Sequence, residues 1–203
     1  MVKNTARLRL LKATEKIIVT EGVSSATIRH IAREAELNSA LVSYYFTSLE
    51  GLISEVGELN LHLMSDAWNT HFELLEAQEN ITLPDVISAY IRPLWAIAAL
   101  NEQERALLVL DEIVGHCTDS IRLKILQQLS ENFVRTVALV QRAEPTLNKD
   151  IIEFRIQFIS GGCLGVPPRT ETKLLFAHKD KQKPERETLI TLAIEAAIAC
   201  FKI

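Results

Sequence analysis

Residues 27–50, which read TIRHIAREAELNSALVSYYFTSLE, constrain the fold more than any other stretch. Their apolar residues recur at helical spacing on both sides of a break at Ala35-Glu36-Leu37-Asn38, so the pattern predicts two short helices joined by a tight turn. Thr27 and Asn38 precede these helices and are expected to cap them. The layout is that of a helix-turn-helix, whose second helix is shaped to lie in the major groove of DNA.

The second of these helices has an unusual outward face. Leu37, Val42 and Phe46 are spaced to point inward, and the position of Leu41 stays open. The outward residues are Ser39, Ala40, Ser43 and Tyr44. Hydroxyl groups can reach base edges or phosphates, and apolar atoms can meet thymine methyl groups. A solvated surface would more often carry Lys or Glu, so the composition favours groove contact.

The segment after the motif predicts a long fourth helix. Thr47-Ser48-Leu49-Glu50 has the pattern of a capping box, with Thr47 as N-cap and Glu50 three residues on. The helix is predicted to reach about Gln78. Leu52, Val56, Leu59, Leu63 and Ala67 share one helical face and are expected to point inward.

The first helix is predicted from Thr5 to Glu21, with Asn4 as N-cap and Gly22 as the stop. Lys3, Arg7 and Arg9 lie near its start. These cations either contact phosphates or form an ordinary solvated helix end, and the sequence leaves both interpretations open.

Charge is unevenly distributed along the 203 residues. The full chain has 22 Lys and Arg against 26 Asp and Glu, a net charge of -4. Residues 1–50 hold 7 basic and 5 acidic side chains, a net +2, which leaves 15 basic and 21 acidic side chains, a net -6, for the rest. A basic head on an acidic body is typical of a small DNA-reading segment joined to a domain that does not bind DNA.

Five further helices are predicted downstream, which gives about nine in an all-α protein. Their approximate ranges are 84–100, 102–117, 119–143, 148–165 and 185–203. In the helix over 148–165, capped by Asn148, we expect Ile151, Ile152, Phe158 and Ile159 to point inward. Pro167-Pro168 ends that helix, and residues 169–184 are predicted to form a charged loop.

The last helix, 185–203, is apolar nearly all round and must be buried on more than one side. It is either enclosed by its own monomer or shared with a second subunit, and we favour the shared arrangement. Gly161 and Gly165, one turn apart in the preceding helix, would let a partner helix approach, although glycines there also suit a fraying helix end.

Several other classes are disfavoured. Cys117, Cys163 and Cys200 have neither disulfide-framework nor metal-pair spacing, so free thiols in a reducing compartment are expected. No signal peptide or membrane span is apparent, so a cytoplasmic location is expected. We find no nucleophile paired with a base and no phosphate loop, and therefore expect neither an enzyme nor a bound cofactor. Glu112 and His116 are one turn apart, but without a third ligand no metal site is expected.

The head, the long helix and the helical body resemble the tetracycline-repressor-like (TetR) family of transcriptional regulators. The resemblance is specific over residues 5–60, where ATIRHIAREAELNSALVSYYFTSLEGLI follows the family's helix-turn-helix and its aromatic-rich exit. It implies a DNA-binding domain over 1–48 and an effector-binding and dimerisation domain over 49–203. It also implies a homodimer through 148–165 and 185–203. A small-molecule effector would release the dimer from a palindromic operator, so the resemblance favours a repressor.

The positions that match the family's DNA contacts are Thr27, Arg29, Ser39, Ala40, Ser43, Tyr44 and Tyr45. Thr27 and Tyr45 match backbone contacts, and the others match positions that read bases or flanking phosphates. Two residues depart from the family's pattern. Glu36 stands where the turn usually has Gly, and Leu49 replaces a Lys that contacts a phosphate.

The effector does not follow from the sequence. Candidate pocket residues are polar or aromatic side chains on otherwise apolar helices, namely Trp68, His71, Trp95, Glu112, His116 and Cys117. An ordinary surface or core role for Glu112 and His116 is the competing interpretation. The alternative function is a helical small-molecule-binding protein or carrier without specific DNA binding.

Overall fold

A computed structural model of the chain describes residues 2–165 and 185–202. These residues form nine α-helices and a 3₁₀ turn over Val23–Ser25, so the predicted all-α class is confirmed. The helices are α1 (Val2–Glu21), α2 (Ile28–Glu34), α3 (Ala40–Phe46), α4 (Leu49–Glu76), α5 (Leu83–Leu94), α6 (Ala106–His116), α7 (Asp119–Ala143), α8 (Lys149–Gly165) and α9 (Arg186–Ala199).

The chain divides into two compact units. The first contains the chain up to Asp66 and again Ala96–Ser130, and the second contains Ala67–Trp95 and the chain from Glu131. Helices α4 and α7 each contribute residues to both units. The functional boundary expected at residue 48 stays a prediction.

In the first unit, α1 packs against α2, α6 and the 3₁₀ turn. Leu10 and Ile17 of α1, Ile31 of α2 and Val42 of α3 are fully buried. One buried residue on α1 is charged: Glu15 has no exposed surface. Burial is also the main reason why the pKa of Glu15 lies above its ordinary value.

The Glu15 carboxylate is satisfied by hydrogen bonds to two other parts of the first unit. It accepts a bond from Asn60 Nδ2 on α4 at 2.6 Å and from the backbone N–H of Leu100 at 3.0 Å. Asn60 Oδ1 in turn accepts the N–H of Ala99 at 3.0 Å. The loop before α6 is therefore tied to α1 and α4 through two side chains.

In the second unit, α5 packs against α9. Thr82 and Asp85 form a capping box at the start of α5, with both reciprocal bonds present. The ring of Trp68 stacks on that of Tyr90, with centroids 6.0 Å apart, and Trp68 Nε1 donates to the Tyr90 carbonyl at 2.9 Å. Arg186 Nε, at the start of α9, donates to the carbonyl of Trp95 at 3.0 Å.

Helix boundaries agree with the sequence for α7 and α8 and differ for α1, α5 and α6. Helix α1 begins at Val2, so the prediction that Asn4 caps it is wrong. Helix α5 ends at Leu94 rather than near 100, and α6 begins at Ala106 rather than at 102. The segment between them turns back on itself through a bridge between Ile97 and Arg105. Pro93, which has no N–H to donate, stands at the point where α5 ends.

Three residues predicted to point inward are exposed. Leu63 on α4 is 38% exposed, and on α8 Ile151 and Phe158 are 42% and 65% exposed. Apolar side chains surround much of α8, whereas only the side that carries Ile152, Ile156 and Ile159 is buried. Helical spacing identified the apolar residues but could not decide which of several apolar faces packs.

The remaining expectations concern the thiols, the membrane and the loop. Cys117, Cys163 and Cys200 form no disulfide bonds, and Cys163 is buried while the other two are half-buried. Among the described residues, no helix combines the length and the apolar character needed to cross a membrane. The stop at Pro167-Pro168 and the charged loop over 169–184 lie outside the described residues.

Candidate nucleic-acid interface

Hydrogen bonds between residues close in sequence fix the orientation of α3 relative to α2. Thr27 caps α2 as predicted, since its Oγ1 accepts the N–H of His30 at 3.2 Å. In the turn, the N–H of Leu37 donates to the carbonyl of Ala32 at 2.8 Å. The side chain of Asn38 accepts the N–H of Ala40 at 2.8 Å, which ties the start of α3 to the turn. The helix-turn-helix is therefore held by local bonds at both helix starts.

The turn residue Glu36 has a φ of 52°, the left-handed conformation that usually belongs to glycine. A side chain in this conformation costs on the order of 1 kcal/mol. The Glu36 carboxylate accepts a bond from Arg9 of α1 at 2.9 Å. Both side chains are exposed, and such pairs contribute little net stability. With Glu36 in place of glycine, the turn therefore keeps its conformation at the cost of some backbone strain.

The exposed face of α3 consists of small polar residues and one aromatic ring. Ser39, Ala40 and Ser43 are exposed, and Tyr44 is 63% exposed. Val42 and Phe46 are buried, and Leu41 is half-buried. Tyr45 is half-buried and meets the Tyr44 ring edge-on, with centroids 4.9 Å apart. The outward set predicted from the sequence is thus available to a groove.

Several cations of the head are engaged by its own acids. Arg7 pairs with Glu55 of α4 and lies over the Phe46 ring, 5.2 Å from its centroid. Lys16 pairs with Glu34 of α2 at 2.5 Å, and that hydrogen bond holds the pKa of Glu34 below its ordinary value. These pairs join α1 to α2 and α4, so the structure favours a scaffolding role for Arg7 over phosphate contact. The side chain of Lys3 lies outside the described residues.

Other head cations remain exposed beside the motif. Arg29 and Arg33 lie one turn apart on α2, and both are exposed. Arg29 was predicted to contact DNA, whereas Arg33 was not. Arg33 is nevertheless a candidate for the same DNA-facing surface, because residues four apart share one helical face. At the start of α4, the half-buried Leu49 supplies no charge.

The junction between α3 and α4 is tight and strained. Thr47 has a φ of 65° and a ψ of -43°, and across it the Ser48 N–H donates to the Phe46 carbonyl at 2.6 Å. This is a γ-turn, which is unfavourable for a β-branched residue. A β-carbon on Gly51 would lie 2.6 Å from the same Phe46 oxygen, so only glycine fits there.

The predicted capping box at this junction is wrong. Ser48, not Thr47, caps α4, because its Oγ accepts the Gly51 N–H at 3.0 Å. The γ-turn uses Thr47 to reverse the chain. The Glu50 carboxylate instead accepts bonds from the hydroxyls of Thr118 at 2.5 Å and Ser120 at 3.1 Å. These bonds hold the pKa of Glu50 below its ordinary value.

Glu112, predicted as a pocket residue, binds the head instead of standing free. Its Oε1 accepts the backbone N–H of Val23 at 3.1 Å, at the start of the 3₁₀ turn. A β-carbon on Gly22, whose φ is 86°, would lie 3.1 Å from the same oxygen. His116 lies beside Glu112, 3.2 Å from the carboxylate, and is exposed. These contacts therefore favour an ordinary structural role for Glu112 and His116 over a role in a pocket.

The six pocket candidates are divided between the two units. Glu112, His116 and Cys117 belong to the first, and burial raises the pKa of the Cys117 thiol. Trp68, His71 and Trp95 belong to the second, where both tryptophans are buried and His71 is half-buried. Among the described residues, no group of three or more His, Cys, Asp or Glu side chains is arranged to hold a metal ion.

The second unit contains a polar pair that the sequence did not reveal. Tyr90, stacked on Trp68, shares a hydrogen bond of 2.6 Å with the hydroxyl of Ser160 on α8. Burial raises the pKa of Tyr90 to about 12. The sequence signal for this pair was a tyrosine among the apolar residues of α5, because a buried tyrosine hydroxyl usually finds a partner.

The family comparison matches the head. Residues 10–56 match the model described as bacterial regulatory proteins, tetR family. This range contains α2, the turn, α3 and the first residues of α4. No curated protein sequence matches the chain.

Solved structures match the whole chain at low sequence identity. The TetR family transcriptional regulator PfmR from Thermus thermophilus aligns with 96% of this chain and 100% of its own at 14% identity, with a TM-score of 0.64. A TetR family transcription regulator from Marinobacter aquaeolei VT8 aligns with 97% of this chain and 95% of its own at 14% identity, with a TM-score of 0.63. The superantigen PfiT aligns with 96% of this chain and 95% of its own at 18% identity, also with a TM-score of 0.63.

At these identities the structural matches define the fold, and the match over residues 10–56 defines the head. Residues 10–56 are therefore similar to the N-terminal domain of the tetR family of bacterial regulatory proteins, and the all-α fold is similar to that of solved TetR family transcriptional regulators.

Proposed function

We propose that this protein is a ligand-responsive transcriptional repressor that binds a palindromic operator in the cytoplasm as a homodimer and leaves it when a small molecule binds. The observation that carries the proposal is the exposed face of α3, where Ser39, Ala40, Ser43 and Tyr44 stand outward on a helix within the family match. This face of α3 carries no acidic side chain and one aromatic ring, and such a surface suits contact with DNA.

On the DNA side, each candidate residue has a role that its position supports. Thr27 lies at the start of α2, where its hydroxyl and the free N–H groups can bind a phosphate. Arg29 is exposed on α2 and can reach a phosphate or a guanine. Tyr45 is half-buried, which suits contact with the backbone rather than with bases.

The dimer is supported by an apolar stripe that the second unit leaves exposed. Ile151, Phe154 and Phe158 of α8 are 42%, 69% and 65% exposed, and Leu192 of α9 is 54% exposed. Open space surrounds Gly161 and Gly162, farther along α8. Burying a phenylalanine side chain contributes about 1.5 to 3 kcal/mol, so this stripe is costly to leave in water. A second copy of α8 and α9, the helices predicted over about 148–165 and 185–203, would cover it.

The effector side rests on the second unit. Trp68, His71 and Trp95 remain candidate pocket residues there, and Tyr90 with Ser160 adds a polar pair among apolar neighbours. Aromatic surface with a few placed polar groups is typical of small-molecule sites. Glu112, His116 and Cys117 remain weaker candidates, since the Glu112 carboxylate already binds Val23.

The test is a binding titration with duplex DNA from upstream of the protein's own gene, at several salt concentrations. We expect tight, salt-sensitive binding to a palindrome, weakened by an effector found by screening. Tyr44→Ala should relax the sequence preference roughly tenfold, since one good base contact is worth about 1 to 3 kcal/mol. Leu123→Ala, which removes a similarly exposed side chain from α7, is the matched control.

The contrary result is equally definite. If intact dimers show no preference over random DNA at low salt, the protein does not read DNA. Effector binding that persists under those conditions would then favour the alternative, a helical small-molecule-binding protein or carrier.

A further inference from the structure

We propose that α3 recognises thymine, and that the C5-methyl groups of A·T pairs are its main base-specific contacts. The inference rests on the proposed DNA-binding function and specifies which chemical feature of the groove the helix reads. It concerns α3 alone, because α2 contributes a separate side chain, Arg29, to the same surface.

The chemistry of α3 excludes the usual contacts with guanine and cytosine. Guanine is recognised in the major groove by Arg or Lys donating to O6 and N7, and cytosine by Asp or Glu accepting from N4. The helix reads ALVSYYF from Ala40 to Phe46 and contains none of these residue types. The preceding residue, Ser39, adds only a hydroxyl.

The usual contact with adenine is also compromised. Adenine is recognised by the paired donor and acceptor of Asn or Gln. The amide residue before the helix is Asn38, and its side-chain oxygen already accepts the Ala40 N–H at 2.8 Å. This bond orients the amide along the backbone, so it does not present both groups to a base.

The groups that remain are three hydroxyls, on Ser39, Ser43 and Tyr44, and two apolar surfaces. All three hydroxyls can donate or accept, so they discriminate weakly among base pairs. The methyl group of Ala40 and the exposed ring of Tyr44 offer apolar surface. In the major groove the matching feature is the thymine methyl group, which distinguishes thymine from the other bases.

The position of Tyr44 is well defined. Its ring contacts Tyr45 edge-on at 4.9 Å, while the neighbouring Val42 and Phe46 are buried and fix the helix. A large ring that is 63% exposed in water gains by covering a methyl group. We therefore expect Tyr44 to provide most of the thymine preference and Ala40 the rest.

The experiment removes single groups from the DNA and leaves the protein intact. The full-length protein first selects its preferred duplex from a random pool. Each thymine in a half-site is then replaced by deoxyuridine, which lacks only the methyl group, and each guanine by 7-deazaguanine, which lacks N7. We expect one or more deoxyuridine replacements to weaken binding about three- to fivefold, as loss of one buried methyl group should.

Two protein variants assign the effects. In Tyr44→Ser, which removes an exposed ring and should fold normally by circular dichroism, at least one deoxyuridine effect should disappear. In the double variant Arg29→Ala and Arg33→Ala, every 7-deazaguanine effect should fall below twofold, because both exposed arginines of α2 are then removed.

The outcomes separate the inference from the function beneath it. A selected site whose affinity does not change with any deoxyuridine replacement overturns the inference. A guanine effect above twofold that survives the double variant Arg29→Ala and Arg33→Ala overturns it as well. If no sequence is enriched from the pool, the proposed DNA-binding function fails instead.

Discussion

The exposed faces of α3 and α8 differ in what they need from a partner. Tyr44, Phe154 and Phe158 are exposed to nearly the same extent, at 63%, 69% and 65%. The exposed residues near Tyr44 on α3 are the small residues Ser39, Ala40 and Ser43, whereas the two phenylalanines extend an apolar stripe that includes Ile151. Covering a stripe of this kind is favourable for any surface that excludes water. Binding to the α3 face is favourable only where complementary groups stand opposite each side chain.

The difference suggests a division of labour. In the proposed dimer on DNA, the α8 face is expected to contribute a large free energy with little discrimination, and the α3 face a smaller free energy with high discrimination. Substitutions on α8 should therefore have the largest effects, and changes in the framework that holds α3 should have smaller ones.

The largest effect is expected on α8. Replacing Phe154 and Phe158 together with Glu should weaken dimerisation by roughly 100-fold or more, because the apolar burial is lost and two charges must be desolvated. Sedimentation equilibrium measures the dissociation constant. Leu74→Glu, at an α4 position that is 61% exposed, is the matched control and should leave dimerisation unchanged. Equal dimerisation of both proteins would remove α8 from the interface.

The next largest effect is expected from adding a positive charge at residue 49, beside the uncharged α3 face. Leu49→Lys should restore a phosphate contact beside α3 and tighten operator binding severalfold at low salt. In a plot of log affinity against log salt concentration, the slope should steepen by about 0.9 for each additional phosphate neutralised, or about 1.8 for a dimer. Leu49→Gln adds a polar group without charge and should leave the slope unchanged. Equal slopes for both variants would place residue 49 away from the phosphates.

A smaller effect concerns the turn that positions α3. Glu36→Gly and Glu36→Ala both remove the pair with Arg9, so they differ only in how they tolerate a φ of 52°. We expect the glycine variant to have the higher free energy of unfolding, by about 1 kcal/mol. Urea denaturation measures this difference. Equal stability would mean that the turn relaxes to another backbone conformation.

The smallest effect is a pH dependence that originates at Glu15. Burial raises the pKa of this carboxyl above 4.5, so the folded state holds the proton more tightly than the unfolded state. The stability that this group contributes is therefore present below pH 4.5 and is lost as pH rises through the folded pKa. In Glu15→Gln that titration is absent.

The comparison between the two proteins isolates Glu15. Urea titrations from about pH 4 to about pH 7 should show the unfolding free energy of the parent falling relative to Glu15→Gln as pH rises. Glu79→Gln, which removes an exposed carboxylate, serves as the control for the loss of one acidic side chain. A constant difference between Glu15→Gln and the parent would show that Glu15 does not titrate in this range.

Much of the fold was predictable because local patterns determine it. The bounds of α7, the cap at Thr27 and the outward set on α3 all follow from spacing and side-chain chemistry within one helix. Predictions failed where distant residues compete for the same group. Glu50 has the right spacing for a capping box, but the hydroxyls of Thr118 and Ser120 bind it instead.

The candidate pocket was less predictable for the same reason. Polar residues on apolar helices were correctly recognised as unusual, yet spacing could not tell a ligand contact from a structural bond. Glu112 binds a backbone N–H 89 residues earlier in the chain. Tyr90 and Ser160 are 70 residues apart and become neighbours only when α5 and α8 pack in the second unit.

The hydrogen bond between Glu112 and Val23 also limits how the head can be separated from the rest of the chain. A fragment cut at residue 48 would lose the carboxylate that caps its 3₁₀ turn, and Glu15 would face water without Asn60 or the Leu100 N–H. Chimaeras that exchange DNA specificity between regulators would therefore need to carry α6 and the loop before it along with the helix-turn-helix.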